Sequence, residues 1–377
     1  MPLRALARVN VAAIERNVSR LRAGLSGGAQ LAAVVKGNGY GHGPVPAAQA
    51  ALAGGARSLA VVTAGEAAAL REAGIDVPVL VMGALSDKEL PVAVAAGAEL
   101  VAWTDSFVER LRRMRVGHAD APVRVHVKLD TGMGRLGTRD PAEAVLVAER
   151  IAAGAPALEL AGAMTHFASA DEDPDFTALQ LARFTPFVLA LRERWPGIVA
   201  HAANSAATLR EPASHFDLVR CGIAIYGCDP MNQDPAAHGL EPALELASYV
   251  AAVKLARAGE SAGYGRRFVA ERDTWIATVP IGYADGIRRA LSGNCDVLIG
   301  GRRYPLVGTV SMDNITVDVG VPDVVRCGDP VTIIGADGNE RQTAEDVARR
   351  VGTINYEILC GLTSRVPRAY HRDGTPV

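Results

Sequence analysis

Lys36 stands in "AAVVKGNGYGHG", directly behind an apolar run and just ahead of Gly37 and Gly39. A lysine stationed among apolar residues loses solvation, which favours its neutral amine below the reference pKa of about 10.4. Neutral amines condense with aldehydes, and the glycines let backbone come close to a bound ring. The competing reading is a lysine snorkelling at a strand end. A second cluster lies in "VRVHVKLDTGMGRLG". With a period of two, His126, Lys128 and Asp130 share one face, while Val125, Val127 and Leu129 take the other. The apolar face suits covering helices, so the charged face turns inward. A buried lysine there must be neutralised by Asp130, by a bound anion or by modification. Arg135, on the glycine-rich loop beyond, can address a carboxylate.

Downstream, His166 ends "AGAMTH", Asn204 and Ser205 end "IVAHAANS", and Arg220 lies in "VRCGI". Ser205 and the amides near Gly222 and Ile223 can hold a phosphate without a Walker loop. The bland alternative is a strand-to-helix turn capped by serine. Set against a ring nitrogen, the fixed charge of Arg220 would keep that nitrogen unprotonated; otherwise the arginine belongs to an ion pair.

These residues need a scaffold that gathers them. Eight apolar runs ("LAAVVKG", "LAVVTA", "VPVLVMG", "ELVAWT", "VRVHVKLD", "ELAGAMTHF", "IVAHAANS", "FDLVRCGIAIYG") mostly alternate with helix-like stretches. Runs buried on both faces and joined by helices predict a parallel sheet, and eight predict an α/β fold closed as a (β/α)8 barrel. An open doubly wound sheet is the second choice, without a glycine-rich dinucleotide fingerprint to support it. In a barrel, chemistry gathers where strands end, and the polar residues above stand at such ends. "GCDPMNQDPAAHGLEP" reads as a linker, followed by short strands with turn residues between them. The expected division is a barrel over residues 1–236 and a mainly-β domain over 237–377, with the first few residues pairing with the latter. In that second part, Tyr264 in "SAGYGRRF", Met312 and Asp313 in "VSMDN", and Asn355 and Tyr356 in "INYEIL" are weak signals on their own.

The 39 basic and 41 acidic residues nearly balance, giving no electrostatic reason to expect nucleic acid or an anionic membrane. No apolar run reaches membrane-spanning length, and "MPLRALARVN" does not read as a signal peptide. Five scattered cysteines suit a reducing, cytoplasmic setting. The eight histidines lack paired ligand spacing, so no metal is expected. His42 reads as structural, and the acidic stretch "ADEDPD" as a solvated turn.

Taken in order, "VVKGNGYGHG", "VKLDTGMGRLG", "HAANSAA", "VRCGIAIYG", "IGYADG", "GTVSMDNITVDV" and "INYEILCGLTSRVPR" resemble the alanine racemase family along nearly the whole chain. The resemblance implies a pyridoxal 5′-phosphate enzyme with an N-terminal barrel and a C-terminal β domain, acting as a homodimer whose subunits share active sites. It implies that Lys36 carries the cofactor and is one catalytic base, and that Tyr264 of the partner subunit is the other. Tyr40, Asn204, Ser205, Gly222, Ile223 and Tyr356 match cofactor contacts, mainly to phosphate. Arg220 matches the ring-nitrogen partner, and His166 the histidine linking it to the tyrosine. Arg135, Met312, Asp313 and Tyr283 match the substrate side, and Lys128 a lysine that is often carbamylated. The implied reaction interconverts L- and D-alanine, supplying D-alanine for peptidoglycan. A broad-specificity or serine-preferring racemase is the alternative. Gly37 and Gly39 replace alanines common in the family, and Gly263 replaces a serine; neither change removes a reactive group.

Overall fold

The computed structural model describes residues 3–114, 121–321 and 324–377. The chain divides into two compact units. One comprises Glu15–Gly39 and Ala47–Ile225, the other Met1–Ile14, Tyr40–Pro46 and Tyr226–Val377. The first strand, β1 (Leu6–Asn10), belongs to the second of these units.

The first unit is built on eight parallel strands: β2 (Gln30–Val34), β3 (Ser58–Val61), β4 (Val79–Val81), β5 (Glu99–Ala102), β6 (Val123–Lys128), β7 (Leu158–Met164), β8 (Val199–His201) and β9 (Leu218–Cys221). They pair in the order β8-β7-β6-β5-β4-β3-β2-β9. The ends of that order meet through Asp217 N to Ala200 O at 3.1 Å and Arg220 N to Ala203 O at 2.9 Å. Asp217 Oδ2 reinforces the seam by accepting from Ala200 N at 2.6 Å. This is the barrel expected from the eight apolar runs. Leu59, Ala60, Val61, Val79 and Val81 are almost wholly buried, as strands covered on both faces must be.

Local chemistry sets where the covering helices begin. Thr63 and Glu66 form a reciprocal capping box on the helix Ala64–Glu72. Asp140 caps Pro141–Ala152 through Ala142 N. Asp173, in the acidic stretch read as a solvated turn, caps Pro174–Arg194 through Phe176 N.

The second unit is mainly β. Its further strands are β10 (Leu244–Tyr249), β11 (Ala252–Ala256), β12 (Ser261–Ala262), β13 (Phe268–Val269), β14 (Thr274–Val279), β15 (Asp296–Ile299), β16 (Arg302–Val307), β17 (Ile315–Gly320), β18 (Pro330–Asp337), β19 (Glu340–Gln342), β20 (Arg368–Arg372) and β21 (Thr375–Pro376). All but β12 and β13, which pair with each other, join β1 in one eleven-stranded sheet. β1 runs antiparallel to β10 and parallel to β20. Burial alternates along β10 and β17, the period-two signature of a sheet with one face packed. Gly300 and Gly301, with φ of 59° and 75°, form the two-residue turn between β15 and β16.

The segment that composition marks as a linker is instead packed. Cys228, Asp229 and Pro235 are buried. Asp229 accepts from Met231 N and Gln233 N, and its carbonyl accepts from Asn355 Nδ2 at 2.7 Å. Turn-forming residues are present there, but their polar groups are satisfied inside the unit rather than by solvent.

Candidate active site

Lys36 lies two residues beyond β2 and opens a left-handed turn. Gly37, Asn38 and Gly39 have φ of 61°, 58° and 59°. A left-handed residue with a side chain costs on the order of 1–2 kcal/mol, and two of these three are glycines. Glu66 Oε1 accepts from Gly37 N at 2.7 Å, while its Oε2 accepts from Val62 N and Thr63 N. One carboxylate thus fixes both the helix start and the backbone that follows Lys36.

Lys128 ends β6 inside the barrel and is 4% exposed. Of the three ways to neutralise it, an ion pair with Asp130 is not formed. Asp130 instead accepts from Gly132 N and Gly134 N and pairs with Arg139, so its carboxylate organises the glycine-rich loop. Burial, then Arg220 and Arg135, with a smaller push from Lys36, lowers the Lys128 pKa to about 8. Arg135 is exposed on that loop. Among the described residues, neither Lys128 nor Arg135 pairs with a carboxylate.

Arg220, in β9, is 3% exposed and wrapped in acceptors. Nη1 donates to His201 Nδ1 at 2.9 Å. Nη2 donates to Thr165 O at 2.8 Å, Ala202 O at 3.0 Å and His166 Nδ1 at 3.2 Å. Burial brings its pKa down to about 10, which leaves it charged at neutral pH. Its Nε is buried and has no hydrogen-bond partner within the protein. Such an N–H is costly unless something supplies an acceptor. Burial and Arg220 hold His166 well below the ordinary imidazole range. A neutral His166 accepting on Nδ1 carries its proton on Nε2.

Asn204 and Ser205 follow β8. The Asn204 side chain is spent as a helix cap on Ala207 N. Ser205 Oγ accepts from Gly222 N at 2.9 Å, leaving its own proton to donate. Ile223 opens a 3-10 turn, and its amide finds no partner among the described residues. Lys36, Lys128, His166, Ser205 and Arg220 all fall at or just beyond the C-terminal ends of barrel strands, the face where such barrels place their chemistry. Together they make an electropositive mouth. Its orphan N–H, hydroxyl donor, free amide and lysines fit a phosphorylated aldehyde with an accepting ring nitrogen.

The remaining candidates lie in the second unit. The rings of Tyr40 and Tyr226 stack at 5.1 Å, and those of Tyr40 and Tyr356 approach to 6.0 Å. His42 is buried, contacts Tyr40 O and stacks on Tyr226. Tyr356 is the second residue of the helix Asn355–Cys360. Tyr264 is 74% exposed, on a turn flanked by Gly263 and Gly265 with φ of 76° and 72°. Thr309 Oγ1 holds the Tyr264 carbonyl at 2.8 Å. Tyr283 N and Ala284 N donate to Ser311 O and Met312 O, which ties the Tyr283 turn to the Met312–Asp313 loop. A Cβ on Gly282 would lie 2.3 Å from Ser311 O, so only glycine allows that approach. Buried Asp285 pairs with Arg4 and Arg365, and Arg365 also pairs with Asp313 at 2.7 Å.

Sequence reasoning missed Glu66, Thr165, His201 and Glu99. His201 was visible in "IVAHAANS" as a polar residue closing a strand, but nothing local links it to Arg220.

Two family models cover most of the chain: "Alanine racemase, N-terminal domain" over residues 9–230 and "Alanine racemase, C-terminal domain" over residues 243–370. The chain belongs to the alanine racemase family. An alanine racemase of Geobacillus kaustophilus is 40% identical over 368 residues, covering 97% of this chain and 94% of that protein. Among solved structures, alanine racemase from D-cycloserine producing Streptomyces lavendulae superposes with a TM-score of 0.92 at 38% identity, covering 98% of each chain. The alanine racemase from E. faecalis gives 0.91 at 37% identity, covering 97% of this chain and 98% of that one. Among the described residues, no helix is long and apolar enough to cross a membrane.

Proposed function

We propose that this racemase-family chain interconverts L- and D-alanine with pyridoxal 5′-phosphate held at Lys36, and that the D-alanine serves peptidoglycan assembly in the cytoplasm. What carries the reading is the buried, unpartnered Nε–H of Arg220 set among Lys36, Lys128 and His166. When bound, the cofactor supplies an electron sink that acidifies the substrate Cα–H. Arg220 would offer Nε–H to the ring nitrogen and, as a fixed cation, keep that nitrogen from taking a proton. Ser205, the Ile223 amide, Tyr40 and Tyr356 would bind the phosphate, with Gly222 N–H orienting the Ser205 hydroxyl and Asn204 bracing Ser205 through its cap. Arg135, Met312 and Asp313 would hold the substrate carboxylate, and Tyr283 would narrow the entrance.

Inverting a stereocentre requires a proton to leave one face and arrive on the other. Lys36 serves one face in this proposal, and Tyr264 from a second copy serves the other. The high exposure of Tyr264 suits a residue completed by a partner, hence a homodimer. His166, carrying its proton on Nε2 and tied to Arg220 through Nδ1, would steady the tyrosine oxygen. Lys128, nearly half neutral close to its pKa of about 8, would attack carbon dioxide through its amine. The N–C bond forms as a proton leaves, and the resulting carbamate places an anion between Arg135 and Arg220.

The test is chiral analysis after incubation with the cofactor and each of a panel of L-amino acids. D-alanine as the dominant product is expected. An equal or greater yield of D-serine would replace the substrate assignment, and no inversion of any amino acid would remove the proposed activity.

A further inference from the structure

The buried arginine at the barrel mouth terminates a chain of hydrogen bonds that crosses the barrel interior. Arg220 Nη1 lies 2.9 Å from His201 Nδ1, and His201 Nε2 lies 2.9 Å from His126 Nδ1. His126 Nε2 in turn lies 2.9 Å from Glu99 Oε2, and Arg124 Nε donates to Glu99 Oε1 at 2.7 Å. A guanidinium can only donate. His201 Nδ1 must therefore be bare, which places its proton on Nε2. His126 must accept that proton's hydrogen bond on Nδ1 and carry its own proton on Nε2, facing the carboxylate. An imidazolium in either ring would set two N–H groups against each other. One arrangement satisfies all three contacts, and in it both rings are neutral.

Burial agrees with this. His201 and His126 are 0% and 2% exposed. Burial, and then Arg220, keep His201 well below the usual imidazole range. Hydrogen bonds from His126 and Arg124 outweigh burial and lower the Glu99 pKa, so the chain ends on a carboxylate. The barrel also makes room for the contact. His126 is on β6 and His201 on β8, with β7 between them. At the crossing, β7 carries Gly162, where a Cβ would fall 2.3 Å from His126 Nδ1 and 2.5 Å from Val199 O. The β6–β7 ladder also slips its register between Val125 and His126.

We propose that Glu99, acting through His126 and His201, is a positioning residue for Arg220. Its carboxylate fixes both tautomers, so a bare nitrogen always faces Nη1 and the guanidinium is held with Nε–H open. This rests on the cofactor reading only for what Nε–H then binds. Without the carboxylate, His126 is free to hold its proton on Nδ1. His201 then turns to the Nδ1–H form and meets Nη1 with a second donor.

The first test is long-range 1H–15N correlation NMR of histidine-labelled protein without cofactor, with assignments from His201→Asn and His126→Phe. Both histidines are expected as Nε2–H tautomers with unprotonated Nδ1. An Nδ1–H form or an imidazolium at either position overturns the proposal. The second test compares Glu99→Leu with Glu99→Leu/His201→Asn. Loss of one charged hydrogen bond should weaken pyridoxal 5′-phosphate binding roughly tenfold in Glu99→Leu, read as a dissociation constant from absorbance. The double variant should recover the affinity of His201→Asn alone, because a carboxamide oxygen can face Nη1 whatever lies behind it. Failure of that rescue would make Glu99 a packing residue only. If Glu99→Leu does not fold, or the wild type binds no cofactor, the tautomer spectrum decides. The second case would also sink the functional reading, which the spectrum does not touch.

Discussion

Replacing Lys128 with methionine should stabilise the carbamate-free chain, and by an amount that depends on pH. In the folded protein, burial and the neighbouring cations bring the Lys128 pKa from 10.5 to about 8. The unfolded chain therefore binds more protons at this site between those two values, and stability contributed by the site rises with pH across that window. Below the folded value the full penalty applies. At about 1.4 kcal/mol per tenfold it is about 3 kcal/mol. At pH 6.5 methionine, similar in length and uncharged, should recover most of it. At pH 9.5 the folded lysine is already largely neutral, so the advantage should shrink by about 2 kcal/mol. The assay is denaturant unfolding of both proteins in bicarbonate-free buffer at the two pH values, each without cofactor. Packing differences between lysine and methionine cancel in the change between pH values. A pH-independent gap would refute the conflict between charge and burial at this position. A gap that widens with pH would reverse its sign.

Other perturbations test other links. Tyr264→Phe should abolish inversion while the protein still binds cofactor and turns yellow; wild-type turnover would remove the tyrosine from the proton path. Gly162→Ala should cost about 3 kcal/mol through overpacking and a broken buried hydrogen bond, measured by denaturant unfolding. A neutral effect would mean that His126 and His201 do not meet across β7. Asp285→Ala strands Arg4 and Arg365, both partly exposed, and should cost about 2–3 kcal/mol. It should also raise KM more than it lowers kcat, because the Met312–Asp313 loop is braced through that cluster; an unchanged KM would argue against the bracing.

The barrel was legible because its strands are buried on both faces, so "LAVV" and "VLVM" read as unbroken apolar runs. Lys36, Lys128 and Arg220 were legible because each breaks or ends such a run. The period-two reading put His126 and Lys128 on the inner face, and both are buried there. Of the three ways to neutralise Lys128, pairing with Asp130 is the one the structure does not use, because the amides of Gly132 and Gly134 engage that carboxylate. The meeting of His126 with His201 was hidden. It depends on an absent side chain at Gly162 and a slipped register, and neither has a local sequence pattern. The packed segment after Tyr226 misled for the converse reason. Proline, glycine and aspartate mark a turning backbone, but whether its polar groups meet water or Asn355 and Glu345 is decided by distant residues.

The claim that matters most is that Lys36 is where the cofactor is bound covalently. Borohydride reduction of the protein with pyridoxal 5′-phosphate, followed by peptide mapping, tests it directly. Loss of the yellow absorbance and one stable phosphopyridoxyl adduct on the peptide containing Lys36 are expected. An adduct on Lys128 or elsewhere, or no adduct at all, would contradict it.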